Sequence, residues 1–105
     1  MPKSIVVCKV DEMRPGQARC FSVLDRNISI IRIGDVFYAI GDTCSHQNYS
    51  LSEGTVLADD LEIECPKHGS TFDLLSGEPR SLPATKPVPV YAVRVEDGNV
   101  LVSVI

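Results

Sequence analysis

Two short stretches, Cys44-Ser-His46 and Cys65-Pro-Lys-His68, restrict the fold of this chain more than anything else in it. Each sets a thiol and an imidazole within three residues, and together they use both histidines of the sequence. One such pair is weak evidence, because Cys and His fall at that spacing by chance in many proteins. Two pairs, separated by the eighteen residues 47–64, make a four-ligand set for a soft or borderline metal. Any fold that uses the set must bring two loops, distant along the chain, to one place.

The scaffold that could do so reads as β structure. At 105 residues the chain suits one domain with its own core and is too short for two ordinary ones. Hydrophobic residues make up 44% and charged residues 23%, with seven Gly and seven Pro, the composition of a folded, turn-rich protein. Residues 4–10, 19–24, 27–33 and 36–40 are rich in Val, Ile and Phe and read as a meander, with Asp25-Arg26 and Gly34-Asp35 as tight reversals. Tyr91, Val93 and Val95 alternate with Ala92, Arg94 and Glu96, and Asp97-Gly98-Asn99 turns the chain into Val100, Val102 and Val104, which predicts a hairpin.

No segment longer than ten residues carries a helical period; the best helical candidate is a single turn around residues 11–13, stopped by Pro15-Gly16. The expected fold class is all-β, a small sandwich or barrel that closes or covers its edges. Residues 42–86 differ in character, with loops of Cys, His, Ser, Gly and Pro around brief strand-like pieces at 61–64 and 71–74. This block reads as an insertion, and binding residues favour loops held by such a scaffold. The expected organisation is one domain, 1–105, with a basal β part at 1–41 and 87–105 and a ligand-bearing part at 42–86.

Charge and termini narrow the function classes. The apolar run of residues 5–7 is broken by Cys8 and Lys9 and then by two acids, so it is neither a signal h-region nor a membrane span. The expected compartment is the reducing cytoplasm, where four cysteines suit metal ligation or burial better than two disulfides. A formal charge of −4 without a Lys/Arg cluster argues against nucleic acid as a partner. It favours transient docking to a basic protein surface.

The order of the ligands bears on the metal. A structural zinc of the Cys2His2 type is one reading, but helical zinc fingers place the two Cys together and then the two His. Here each loop contributes one of each, which suits a binuclear cluster with both cysteines on one iron and both histidines on the other, as in a Rieske 2Fe-2S centre. The pattern Cys44-x-His46 … Cys65-x-x-His68 with Pro66 and Gly69 resembles the Rieske motif. The stretches "SLSEG" (Ser50 to Gly54) and "CPKHGSTFDLLSGEP" resemble the soluble Rieske-type ferredoxins of aromatic ring-hydroxylating dioxygenase systems. The likeness spans most of the chain, the flanking strands falling where that family has its basal β domain.

The resemblance implies roles residue by residue. Cys44 and Cys65 would hold the inner iron as thiolates, and His46 and His68 the outer iron. Gly69 would let the loop approach the cluster, Pro66 would stiffen it, and Pro83-Ala84 would lie in a loop covering it. The chain also departs from the related respiratory Rieske proteins. Their extra loop cysteines, joined as a disulfide, are matched by Tyr49 and Lys67; of their serine and tyrosine hydroxyls aimed at cluster sulfur, Ser70 remains while Phe72 stands at the tyrosine position. Fewer donors stabilise the reduced form less, so the expected potential lies at the low end of roughly −150 to +300 mV, falling as pH rises through the ligand pKa of the oxidised state.

Other residues have plainer readings. Cys8 and Cys20 lie in strand-like runs without a partner at ligand spacing and read as buried core thiols. Glu53, Asp59, Asp60, Glu62 and Glu64 form either an acidic docking surface or a solvated face. Ser45 reads as a loop residue bonding nearby backbone or sulfur, and Tyr91 as sheet packing.

With all four ligand positions filled by protein, no open site remains for a substrate, and the expected role is single-electron carriage, not catalysis. By resemblance the chain would take electrons from an NAD(P)H-dependent flavin reductase and pass them to the terminal oxygenase of an aromatic dioxygenase system, docking transiently and as a monomer, on one 2Fe-2S cluster. Alternatives are a Rieske ferredoxin for another oxygenase or a nitrite-reductase-like system, and a zinc-stabilised interaction module. A thiol enzyme using Cys65 with His68 leaves Cys44 and His46 unexplained.

Overall fold

Runs rich in β-branched residues, several of them joined by two-residue turns, build nine strands among the described residues. In the computed structural model, which describes residues 3–43, 49–66, 69–80 and 86–104, these are β1 (Lys3–Lys9), β2 (Ala18–Val23), β3 (Arg26–Ile33), β4 (Val36–Gly41), β5 (Thr55–Leu57), β6 (Glu62–Glu64), β7 (Thr71–Asp73), β8 (Val90–Glu96) and β9 (Asn99–Val104). Six of them form an antiparallel sheet in the order β1-β9-β8-β4-β3-β2, and β5-β6-β7 form a second, three-stranded sheet. The large sheet curls until its edge strands β1 and β2 approach each other, giving a near-barrel. The all-β expectation holds, and the helical turn near residues 11–13 is a short 3-10 turn at Val10–Glu12. No helix among the described residues is long and apolar enough to cross a membrane.

The meander is shorter than expected. Only β2, β3 and β4 are joined as successive hairpins; β1 pairs with β9 from the other end of the chain, Ile5 facing Val102. Alternation within a strand shows that it pairs, not with which strand. The first reversal is also displaced by one residue. Val23 faces Arg26, so the two loop residues are Leu24 and Asp25, with φ of 48° and 64°, not Asp25-Arg26. Two left-handed residues in a row match the twist of the flanking strands. Gly34-Asp35 and Asp97-Gly98 sit in the expected turns, flanked by the pairs Ile33–Val36 and Glu96–Asn99.

Strands β3 and β4 are covered on both faces, which explains their nearly continuous apolar sequence. One face sends Ile28, Ile30, Phe37 and Ala39 into a core with Cys8, Met13, Val23, Val100 and Val102. The other sends Ile31 and Ile40 into a second core with Leu51, Ile63, Cys65, Phe72, Leu74 and Val88. The small sheet is thus fastened to the large one through apolar contacts, and Cys65 is part of that fastening.

Cys8 is buried as expected, but Cys20 is exposed. On β2 the side chains of Phe21 and Val23 take the core, Phe21 against its margin. Cys20 therefore falls on the opposite face of an edge strand, where the second core reaches Ala18 but leaves Cys20 exposed.

Candidate metal centre

Strand geometry fixes the stems of both loops that carry the expected ligands. After β4, the Asp42 amide donates to the Asn27 carbonyl at 3.0 Å, and Thr43 forms an antiparallel bridge with Ser50. The segment between those bridged residues carries Cys44, Ser45 and His46, which lie outside the described residues. Immediately beyond it, Leu51 begins a 3-10 turn, Leu51–Glu53, and is fully buried.

The second stem is tighter. Glu64 of β6 pairs with Thr71 of β7; just inside that pair the Cys65 amide donates to the Ser70 carbonyl at 2.7 Å, and the Gly69 amide to the Cys65 carbonyl at 3.1 Å. These bonds close a turn that by sequence contains Lys67 and His68, both outside the described residues. Gly69 has φ of 74°, and no described atom lies within 4 Å of where a Cβ would stand. Backbone conformation is what asks for glycine there.

The stems meet. Leu51 from the first and Cys65 from the second are both buried in the same apolar cluster. At Gly54, which ends the 3-10 turn, a Cβ would overlap the carbonyl oxygen of Glu64, the residue before Cys65. Cys65 is 1% exposed and free of any disulfide, flanked by Ser70 and Phe72, each fully buried. A free thiol held among apolar side chains beside the base of the other loop is the donor chemistry a thiolate-held metal cluster needs. Of the four expected ligands, Cys65 alone falls within the described residues, and its placement fits the group. The expected covering loop at Pro83-Ala84 also lies outside them.

Sequence reading missed the polar clamp at the base of the first loop. The Asp42 carboxylate is buried and accepts the Ser29 hydroxyl at 3.0 Å, the Ser50 hydroxyl at 2.6 Å and the Ser52 amide at 3.1 Å. Burial alone would push this carboxyl up, but the donors from Ser50, Ser52 and Ser29 outweigh it and hold the group below the usual carboxylate range. Partial burial, the Asp42 charge and a hydrogen bond to Asp42 push the Cys20 thiol up to about 11. The partners come from β2, β3 and the segment after the loop, so only the folded register assembles them. No local pattern could have shown it.

On the outer face of the small sheet, Glu62 and Glu64 are half-buried, while Glu53, Asp59 and Asp60 are exposed in the short 3-10 turns beside it. Asp73, on the same face as Glu62, is ion-paired with Arg80 and accepts the amides of Leu75 and Ser76. Tyr49, just after the first loop, is 37% exposed.

Comparison with known proteins agrees with this architecture. The sequence profile of the Rieske 2Fe-2S domain matches residues 3–92. The chain is 44% identical over 98 residues to "Ferredoxin CarAc" of Metapseudomonas resinovorans, covering 92% of this chain and 90% of that protein. It is 41% identical over 98 residues to the "3-phenylpropionate/cinnamic acid dioxygenase ferredoxin subunit" of Escherichia coli K12, covering 93% and 91%. Among solved structures it is similar to a chain in the complex of reduced oxygenase and oxidised ferredoxin in carbazole 1,9a-dioxygenase, with a TM-score of 0.88, 42% identity and coverage of 95% and 92%.

Proposed function

Because the chain belongs to the Rieske 2Fe-2S domain family, we propose that it serves as the ferredoxin of an aromatic ring-hydroxylating dioxygenase system, not as the enzyme that works on the ring. One similar protein is named a ferredoxin and another the ferredoxin subunit of a dioxygenase, and the chain's cofactor is one Rieske 2Fe-2S cluster, which when bound takes up and releases single electrons. The observation that carries the reading is the meeting of the two loop stems, Leu51 with Cys65 and Gly54 with Glu64.

In this reading Cys44 and Cys65 hold the inner iron and His46 and His68 the outer one. The buried Cys65 sits among Ile63, Phe72 and Leu74, side chains that keep water from its thiolate. In this reading His46 and His68 are the ligands whose ring edges a partner reaches. The donor is a flavin reductase that oxidises NAD(P)H and the acceptor a terminal oxygenase, each docking transiently to a cytoplasmic monomer. Glu53, Asp59, Asp60, Glu62 and Glu64 suit a basic partner surface. Supporting the acceptor, one similar structure is an oxygenase–ferredoxin complex.

The test is reconstitution. With NADH, a flavin reductase and the oxygenase of a ring-hydroxylating dioxygenase, adding this protein restores electron flow to the oxygenase and hydroxylation of an aromatic substrate. Chemically reduced protein that cannot reduce any such oxygenase contradicts the assignment of partners. The ring that is attacked is set by the oxygenase.

A further inference from the structure

We propose that Asp42 is a built-in anion that holds down the reduction potential of the centre carried by the two loops, an inference that rests on the electron-carrier reading above. Asp42 is 5% exposed, and a carboxylate at that depth persists only where hydrogen bonds replace its water. The Ser29 hydroxyl and the Ser52 amide serve Oδ1, and the Ser50 hydroxyl serves Oδ2. Among the described residues its partners are hydroxyls, an amide and the Cys20 thiol, and none is a cation. Neutral dipoles spread its charge without cancelling it.

That charge stands beside both loops. Asp42 precedes Cys44 by two residues, which limits their Cα separation to about 7 Å. Its carbonyl accepts the Leu51 amide at 2.6 Å, and the Leu51 side chain lies in the same buried cluster as Cys65. Reduction adds one electron, and with it negative charge, close to a fixed negative charge. Coulomb repulsion opposes this, and water screens it weakly at such depth. At separations on the order of 10 Å the effect on the oxidised-to-reduced equilibrium is about tenfold.

The experiment is a spectroelectrochemical titration of the purified holoprotein and two variants, with iron content and the EPR signal of the reduced state recorded for each. Asp42→Asn keeps size and hydrogen-bonding capacity but removes the charge; its midpoint potential rises by about 59 mV, the equivalent of tenfold for a one-electron couple. Ser50→Ala keeps the charge and deletes a dipole opposing it, so its potential falls. A clamp that acted only by holding the loop would move both variants the same way. An unchanged or lower potential in Asp42→Asn with iron content and EPR signal intact overturns the proposal. If that variant loses its iron, Ser50→Ala decides: a fall supports the proposal and no fall overturns it. A wild-type protein without iron overturns the carrier reading itself, and the proposal with it.

Discussion

Gly54 is seated on the carbonyl oxygen of Glu64, with no room between them for a methyl group. The contact ties the end of the first stem to the residue before Cys65, so it bears on folding and on the proposed centre together. Because the obstructing atom is backbone, Gly54→Ala must displace a strand. The expected cost is about 2–3 kcal/mol, or a fall in Tm of roughly 10–20 °C for a chain this size, with reduced iron content. Thermal unfolding followed by circular dichroism checks it; a variant as stable and as iron-loaded as wild type removes the contact from the account.

Phe72 is fully buried in the cluster that contains Cys65. Phe72→Tyr places a phenol in that cluster, and a hydroxyl donor to cluster sulfur favours the reduced form. The midpoint potential should rise by roughly 60 mV, the equivalent of about 1.4 kcal/mol for a one-electron couple. Protein-film voltammetry measures it. A potential that stays put shows the ring edge facing elsewhere.

The Arg80 guanidinium, with the Leu75 amide, holds the Asp73 carboxyl below the usual carboxylate range. A depressed folded pKa contributes stability that is present above the unfolded value of about 3.9 and lost as pH falls through the folded value. Asp73→Asn should therefore lower the urea midpoint at pH 6 and converge with wild type in strong acid. The effect is small, because Arg80 is half-exposed and salt screens the pair. A constant difference at every pH would assign the loss to the Asp73 turn geometry instead.

His68→Cys replaces a neutral imidazole with a thiolate at the proposed outer iron. Where the variant keeps its iron, the added negative charge lowers the midpoint potential, and the pH dependence from that imidazole disappears. Titration across pH 6–10 reads both effects. An iron-loaded variant with wild-type potential and pH profile takes His68 out of the ligand set.

The sequence made some of this legible and hid the rest for physical reasons. Local signals carried the turns at Gly34-Asp35 and Asp97-Gly98 and the alternation of Tyr91 and Val93, because two-residue hairpins are written in neighbouring residues. β5 (Thr55–Leu57) went unforeseen, since three residues between a glycine and an acidic turn carry no period. The β1–β9 pairing joins opposite ends of the chain, and nothing local encodes a partner. Cys20 was misplaced although period-2 alternation with Phe21 and Val23 in the core already sets it on the other face. The Cys/His spacing pointed to the family that the profile match shows. Asp42 stayed silent, because Ser29 and Ser50 meet it only after the sheet has formed.

The central claim is that two loop stems, joined at Leu51, Gly54, Glu64 and Cys65, hold a two-iron centre that only exchanges electrons. Metal and acid-labile sulfide analysis of the purified protein, run with EPR of the dithionite-reduced sample, tests it most directly. The account predicts a reddish-brown protein with about two irons and two sulfides per chain and a one-electron signal on reduction. A colourless protein holding one zinc and no sulfide would contradict it.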